Sequence, residues 1–350
     1  MKELLLKLTE GKDLTEQEMF SAVLAIMKNE VAPSMTGAFL TALSIKGEKP
    51  NEIVGAAKAM LEVAEIIDPG YDVLDIVGTG GDRSFSFNIS SVSSIVIASA
   101  GIKVAKHGNR SVSSKCGAGD LFEALGVKFD FASKYAKPVL DEAGLVFLFA
   151  PVYHQAMRFV GPIRKELGIK TIYNIMGPLI NPMNASYMVL GVYKKELVRP
   201  ICEVLKKKGL KSAMVVYGLD GVDELSMAAN TYVAEFCNKG DIIEYELNPI
   251  NYGFNLCTHD DLIGGTPDVN KKIALDILNG VKGPKRDVVV LNSACAIHVA
   301  TGRTISESIK IANDCIDSGK AKETLDRLVK VTNDIRWYFR IKKKRLYWYH

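Results

Sequence analysis

The 350-residue sequence has no apolar run long enough to cross a bilayer. Its opening residues, Met1-Lys2-Glu3-Leu4-Leu5-Leu6, are too short an apolar stretch for a secretory signal. Cysteine is sparse: Cys116, Cys202, Cys237, Cys257, Cys295 and Cys315, with no C-x-x-C pair and no local zinc-ligand motif. Scattered thiols fit a reducing cytoplasm and argue against a secreted disulfide scaffold. Internal repeats and low-complexity linkers are lacking. So is a general surplus of positive charge. The net charge is +4, but six of the 44 Lys and Arg lie in 336–350, which holds no acidic residue. The remainder carries 38 basic against 40 acidic residues, a net of −2. This body excludes a broadly basic nucleic-acid face, while a local basic pocket for an anion remains open.

What is present suits a large globular enzyme. Apolar residues make up 48% and charged residues 24%, enough for a sizeable core. Residues 1–67 read as helices only. Thr15 with Glu18 forms a capping-box pattern, and Met19, Phe20, Val23, Leu24 and Met27 follow at helical spacing. Pro33 and Pro50 open two further helices, the first closed by Gly47, the second running to about Glu65. After the turn at Asp68-Pro69-Gly70 the pattern changes. Strands are expected at 73–77, 102–105, 145–149, 188–192, 213–217, 232–236 and 242–246. Helices lie between several of them, the first from the N-cap Asn88 to Ala100, and later helices cover 269–280, 287–301, 305–318 and 320–331. The expected class is α/β: a small helical domain, 1–68 with part of 165–185, against a larger domain, 69–331, with a mostly parallel sheet.

Chemistry concentrates in loops that follow strands. Gly78-Thr79-Gly80-Gly81-Asp82 sits between a strand and a helix, where backbone N–H groups and the helix dipole hold phosphate. It matches neither the Walker A pattern nor G-x-G-x-x-G. Asp82 beside a phosphate calls for an intervening cation or hydroxyls. Ser84, Ser86, Asn88, Ser90 and Ser91 supply further polar lining. A second loop, Lys106-His107-Gly108-Asn109-Arg110-Ser111-Val112-Ser113-Ser114-Lys115, is dense in cations and hydroxyls, and ligands in open α/β sheets bind beyond the carboxyl ends of strands. His154 reads best, on the residues alone, as a satisfied helix-start histidine, and Arg164 could be a surface charge. Gly177-Pro178-Leu179-Ile180-Asn181-Pro182 reads as a turn. Asp223-Glu224 is either a Mg²⁺ ligand pair or an exposed acidic turn.

These motifs, in this order, resemble the anthranilate phosphoribosyltransferases of tryptophan biosynthesis. The resemblance covers about residues 1–331 and is carried by GTGGD at 78–82, NISS at 88–91, KHGNRSVSSK at 106–115, FAPVYH at 149–154, RKELGIKT at 164–171, NIMGPLINP at 174–182 and DGVDELS at 220–226. It implies that the amine of anthranilate attacks C1 of phosphoribosyl pyrophosphate and displaces pyrophosphate. It implies the nucleoside phosphorylase type of fold, a homodimer, and Mg²⁺ as cofactor with two ions per site. Gly78, Gly81, Asp82, Ser86, Asn88, Ile89, Ser90, Ser91, Lys106, His107, Gly108, Asn109, Arg110, Ser111, Val112, Ser113, Ser114 and Ala118 match donor-site positions. Ser90, Asp223 and Glu224 match metal positions. Gly78, Asn109, His154 and Arg164 match anthranilate positions. Lys106 is expected to stabilise the leaving group, and His107 is the candidate general base.

Two departures stand out. The family often has Ser-Gly-Ser where this chain has Cys116-Gly117-Ala118, so Ala118 lacks a phosphate-side hydroxyl. Residues 332–350 match no family pattern and hold both tryptophans, Trp337 and Trp348, among basic residues. That composition could serve a non-catalytic nucleic-acid-binding relative, but a non-functional C-terminal extension or a reading-frame artefact is the favoured reading. A pyrimidine nucleoside phosphorylase is the other alternative. The acidic body disfavours the first; the 106–111 loop with Arg164 disfavours the second.

Overall fold

The computed structural model describes residues 1–82, 84–111 and 115–335. Val112, Ser113, Ser114 and the tail from Arg336 onward lie outside them. The chain opens with helices α1 (Lys2–Thr9), α2 (Glu16–Met27), α3 (Pro33–Lys46) and α4 (Pro50–Glu62). The capping box of α2 forms: Glu18 N–H donates to Thr15 Oγ1 at 3.2 Å, and Thr15 N–H to Glu18 Oε2 at 2.9 Å. One buried carboxylate ties this unit together. Glu52 accepts from Leu14 N–H at 2.8 Å, Lys49 N–H at 2.8 Å and Lys46 Nζ at 2.9 Å.

Seven strands follow: β1 (Leu74–Gly78), β2 (Val104–Gly108), β3 (Leu145–Phe149), β4 (Tyr187–Gly191), β5 (Ser212–Gly218), β6 (Thr231–Phe236) and β7 (Ile243–Leu247). They form one sheet in the order β3-β2-β1-β4-β5-β6-β7. The first five are parallel; β6 and β7 are antiparallel additions at one edge. The chain steps outward from β1 to β2 to β3, then returns to the other side of β1 with β4. The β1/β4 junction is therefore the topological switch point, where ligand crevices form in such sheets.

Crossover helices include α5 (Ile89–Ser99) between β1 and β2, and α6 (Ala118–Ala124) and α7 (Ala136–Ala143) between β2 and β3. After β3 come α8 (Ala150–Tyr153), α9 (Gly161–Leu167) and α10 (Tyr173–Leu179), then α11 (Val198–Lys207) between β4 and β5. The chain ends in α12 (Pro267–Leu278), α13 (Pro284–Thr301), α14 (Ile305–Asp317) and α15 (Lys320–Asn333). α5 and α13 cover one face of the sheet. Their buried serines let them approach closely: Ser93 Oγ donates to the Val289 carbonyl at 3.4 Å, and Ser293 Oγ to the Ser93 carbonyl at 3.5 Å. α11 and α10 lie on the other face, with α4 packed on both. α9 packs on α3, and Ser44 Oγ donates to the Lys170 carbonyl at 2.9 Å.

Two expectations need correction. β2 was expected to end near Ala105, but it continues through Gly108, and Lys106 and His107 are both 2% exposed. Polar side chains hid a buried strand. Gly177 and Pro178 are not a turn; both belong to α10. Pro178 is tolerated near the end of this short helix, where few interior hydrogen bonds are at stake. Among the described residues no single helix is long and apolar enough to cross a membrane.

Candidate active site

The site is built at the β1/β4 junction. Gly78 pairs with Gly191 as the last residues of those strands. Both must be glycine. A Cβ on Gly78 would overlap the Asp223 carboxylate, and one on Gly191 would overlap the Asp223 carbonyl. The missing side chains let the 220–226 loop lie directly on the carboxyl edge of the sheet. Gly80 and Gly81 then turn with φ of +68° and +80°, and Gly80 N–H donates to Asp223 Oδ2 at 2.6 Å. Asp82 folds back onto the same loop: Asp223 N–H donates to Asp82 Oδ2 at 3.4 Å.

Glu224 reaches the N-terminus of α5, where Ser90 N–H donates to its Oε1 at 3.3 Å. Lys106 rises from β2 beneath this point. Its Nζ donates to the Ile76 carbonyl at 2.6 Å and to Ser90 Oγ at 3.2 Å. Asp82, Asp223 and Glu224 thus crowd together, the last two within reach of one buried ammonium. Removal from water, reinforced by Asp82, pushes the Asp223 and Glu224 carboxyls upward. Burial lowers Lys106, while Asp75, Glu224 and Asp223 oppose that shift. An excess of like charge with oxygen donors at a strand edge fits a hard divalent cation such as Mg²⁺. This is no exposed acidic turn, since Asp223 is 8% exposed.

Asn88 sits at the N-cap position of α5 as expected, but its side chain makes no cap bond. The amide is turned sideways instead. Nδ2 donates to the Cys116 carbonyl at 3.1 Å, and Oδ1 accepts from Asn270 Nδ2 at 2.9 Å. The first turn of α5 is capped instead from outside the helix, Ile89 N–H by the Phe87 carbonyl at 2.7 Å and Ser90 N–H by Glu224. Ile89 is core, Ser86 Oγ lies 3.1 Å from Ser84 Oγ, and the buried Ser91 Oγ has no hydrogen-bond partner among the described residues.

The second loop turns away to α6. Asp120 Oδ2 accepts from Ser111 N–H and Gly117 N–H, both at 2.9 Å. The Arg110 guanidinium binds Glu123 at 2.7 Å and Asp120 at 3.1 Å. It is engaged by carboxylates of its own loop and helix, a use the sequence did not suggest. Asn109 is exposed and accepts from Arg110 N–H at 2.8 Å. Ala118 opens α6 and packs against Gly108, where a Cβ would stand 3.3 Å away.

On the other side, His107 and His154 meet edge to face with ring centroids 5.1 Å apart. His107 Nδ1 donates to the Gly177 carbonyl at 2.9 Å. Neither Nε2 has a partner among the described residues. Burial pushes His107 down to about 3, helped by His154, and His154 down to about 4. Arg164 stacks over Tyr173, 5.6 Å from the ring centroid, and Tyr173 shares α10 with Gly177.

Sequence reasoning missed several supports. Gly191 and Tyr173 carry no local signal. Asn181 Nδ2 bonds Asp75 Oδ2 at 2.8 Å and the Ala105 carbonyl at 2.7 Å, bracing β1 against β2. Asp75, 0% exposed and pushed up to about 6 by burial, was readable as a charge inside an apolar strand. Lys170 stacks on Tyr193, 3.5 Å from its ring centroid, and brings its ammonium beside Gly81.

The histidines set a pH dependence. Below about pH 6.5 the unfolded chain protonates them and the folded chain does not. Stability is then full above that pH and falls as the pH drops toward the folded values, by about 1.4 kcal/mol per pH unit for each histidine. The raised carboxyls act in the opposite sense, so the test compares slopes. His154→Gln should make stability from urea unfolding fall less steeply with acid, by about that amount per unit. An unchanged slope would contradict the assignment.

The comparisons agree with this geometry. Residues 2–64 match the helical bundle domain of a glycosyl transferase family, and residues 70–322 match its a/b domain. An anthranilate phosphoribosyltransferase from Methanobrevibacter smithii is 50% identical over 95% of this chain and 99% of its own. The solved enzyme of that name from Thermus thermophilus is 38% identical, covering 94% of this chain and 99% of its own, with a TM-score of 0.90. The Saccharomyces cerevisiae enzyme, solved with PRPP and Mg, is 29% identical over 95% of this chain and 99% of its own, with a TM-score of 0.85. It has also been solved with 4-fluoroanthranilate. On this similarity and this site, the chain belongs to the anthranilate phosphoribosyltransferase family.

Proposed function

We infer that this chain transfers the phosphoribosyl group of phosphoribosyl pyrophosphate to the amine of anthranilate. The C1–O bond to pyrophosphate breaks, a C1–N bond forms, and the amine gives up one proton. The observation that carries this reading is the Asp82–Asp223–Glu224 cluster over the switch point, next to Lys106 and the N-terminus of α5. Such a site suits a phosphorylated, metal-bound donor. The nucleoside phosphorylase alternative is not favoured.

Each group has a role in this reading. Donor oxygens would take over the Gly80 and Ser90 N–H groups from Asp223 and Glu224 as those carboxylates turn to the metal. Asp223, Glu224 and Ser90 would hold Mg²⁺, which we take to be two ions. When bound, Mg²⁺ neutralises charge on the pyrophosphate leaving group. Lys106 acts partly through Ser90, whose hydroxyl it holds. Arg164, kept rigid by Tyr173, clamps the anthranilate carboxylate. Anthranilate is neutral at its amine, so position matters more than a strong base. His107 can still take the departing proton. Its Nδ1 is committed to Gly177, leaving the Nε2 lone pair available. The free cysteines suit a reducing compartment such as the cytoplasm.

We also propose that a second copy packs on the helical unit. A groove of about 930 Å³ there is lined by Leu5, Leu8, Ala38, Ile45, Ile163 and Leu167 among others, and Ile45 is 82% exposed.

Three measurements test these readings. Anthranilate fluorescence should fall only when PRPP and Mg²⁺ are both present; no change with folded protein would defeat the functional reading. Arg164→Ala should raise the KM for anthranilate at least about tenfold, as loss of a charge-assisted bond worth roughly 1.5–3 kcal/mol implies, and leave that for PRPP nearly unchanged. Equal effects would remove Arg164 from the acceptor site. In sedimentation the wild type should be a dimer and Ile45→Asp largely a monomer. A dimer unaffected by the substitution would place the interface elsewhere.

A further inference from the structure

A second cluster of ligand-type side chains lies at the far end of the sheet. β6 runs antiparallel to β5, and Phe236 pairs with Ala213 near the start of β5. The end of β6 is therefore at the amino edge of the parallel strands, opposite the donor site. Glu235 sits there as the one charged residue of β6, between Ala234 and Phe236, and is 7% exposed. Its only ionic contact among the described residues is the His298 imidazole, with Oε2 and Nε2 3.5 Å apart. That is too long for a hydrogen bond, and both atoms are buried without a hydrogen-bond partner. The neighbouring Tyr245 phenol and Cys295 thiol offer no compensating charge; burial and Glu235 both favour their neutral forms.

The histidine is oriented as a ligand would be. His298 Nδ1 donates to the Arg303 carbonyl at 2.5 Å, just past the Gly302 cap of α13. A carbonyl only accepts, so Nδ1 carries a proton, and Nε2 faces Cys237 and Glu235, which favour a second proton there that a metal ion would displace. The exposed Cys237 follows two residues after Glu235, at the corner where Gly240 N–H donates to the Cys237 carbonyl at 2.9 Å. The carboxylate oxygen, the thiol sulfur and the imidazole nitrogen all lie within 4.8 Å of one another. Around a tetrahedral ion with bonds of about 2.0–2.3 Å, ligand atoms stand roughly 3.5 Å apart. Little closure is needed.

We propose that Glu235, Cys237 and His298 bind a zinc-class divalent ion, with a fourth position left to water. A thiolate and an imidazole select Zn²⁺ over Mg²⁺, so this site would not compete for the ion used at Asp223 and Glu224. Binding joins the β6–β7 corner to the C-terminal end of α13. Its effect is on stability, because an ion that binds only the folded chain shifts the folding equilibrium.

Co²⁺ is a suitable probe, since thiolate ligation gives a charge-transfer band. The full chain, freed of metal and resupplied with Mg²⁺, is titrated with Co²⁺ and then with Zn²⁺. The expected result is one Co²⁺ per chain with a thiolate band, bleached by Zn²⁺, and a higher Tm with Zn²⁺. Cys237→Ser should lose the band, bind Zn²⁺ at least about tenfold more weakly, and keep its transferase activity with Mg²⁺. Cys257→Ser, at a half-exposed thiol elsewhere, should keep the band. Absence of a thiolate band in the wild type, or a band that survives in Cys237→Ser, overturns the proposal and leaves a Glu235–protonated His298 pair. Because Cys237 is exposed, that variant folds whether or not the proposal holds.

Discussion

Everything at the catalytic edge depends on how closely one loop can approach two strand ends. Asp223 rests on Gly78 and Gly191, and the fit is backbone against backbone. From that contact the remaining geometry follows. Gly80 finds its acceptor, Asp82 is drawn under the loop, and Glu224 meets the first turn of α5. The price is a set of carboxylates held near each other and away from water, which such groups resist unless a cation joins them. A region strained in this electrostatic sense is primed to take up a metal-bound, anionic substrate.

The site divides by the element that supports it. The groups proposed for the donor side stand on strand ends and on the N-terminus of α5. The groups proposed for the acceptor side depend on α9 and α10: Arg164 on one, Tyr173 and the Gly177 carbonyl on the other. These short helices also touch α3 and α4. In the proposed reading the helical unit thus bears on the position of the aromatic acceptor, and the sheet governs the donor.

The sequence made the loops legible because their composition is anomalous. Gly-Thr-Gly-Gly-Asp, the basic stretch at 106–111 and Asp-Glu at 223–224 all break an apolar rhythm just after a strand. It made the partners of those loops much less legible. Lys106 and His107 look like loop residues, although both are buried in β2, because polarity is a poor guide where a strand carries chemistry. Pro178 suggested a turn where a short helix forms. Gly191 means nothing until its pairing with Gly78 is known. Arg110 and Asn88 read as ligand contacts, yet each side chain has local bonds that shape the loop. Glu235, Cys237 and His298 could not be grouped at all, since the sheet and α13 bring together residues some sixty positions apart.

The bond between Gly80 and Asp223 spans 143 residues. Closing so long a loop is costly in chain entropy and rewarded only once the intervening strands are paired. A ribosome-bound chain that has not yet emerged beyond Glu224 therefore owns a phosphate loop but no acidic lid for it. The two halves of the candidate site meet only through the pairing of strands β1 through β5, and neither segment assembles it alone.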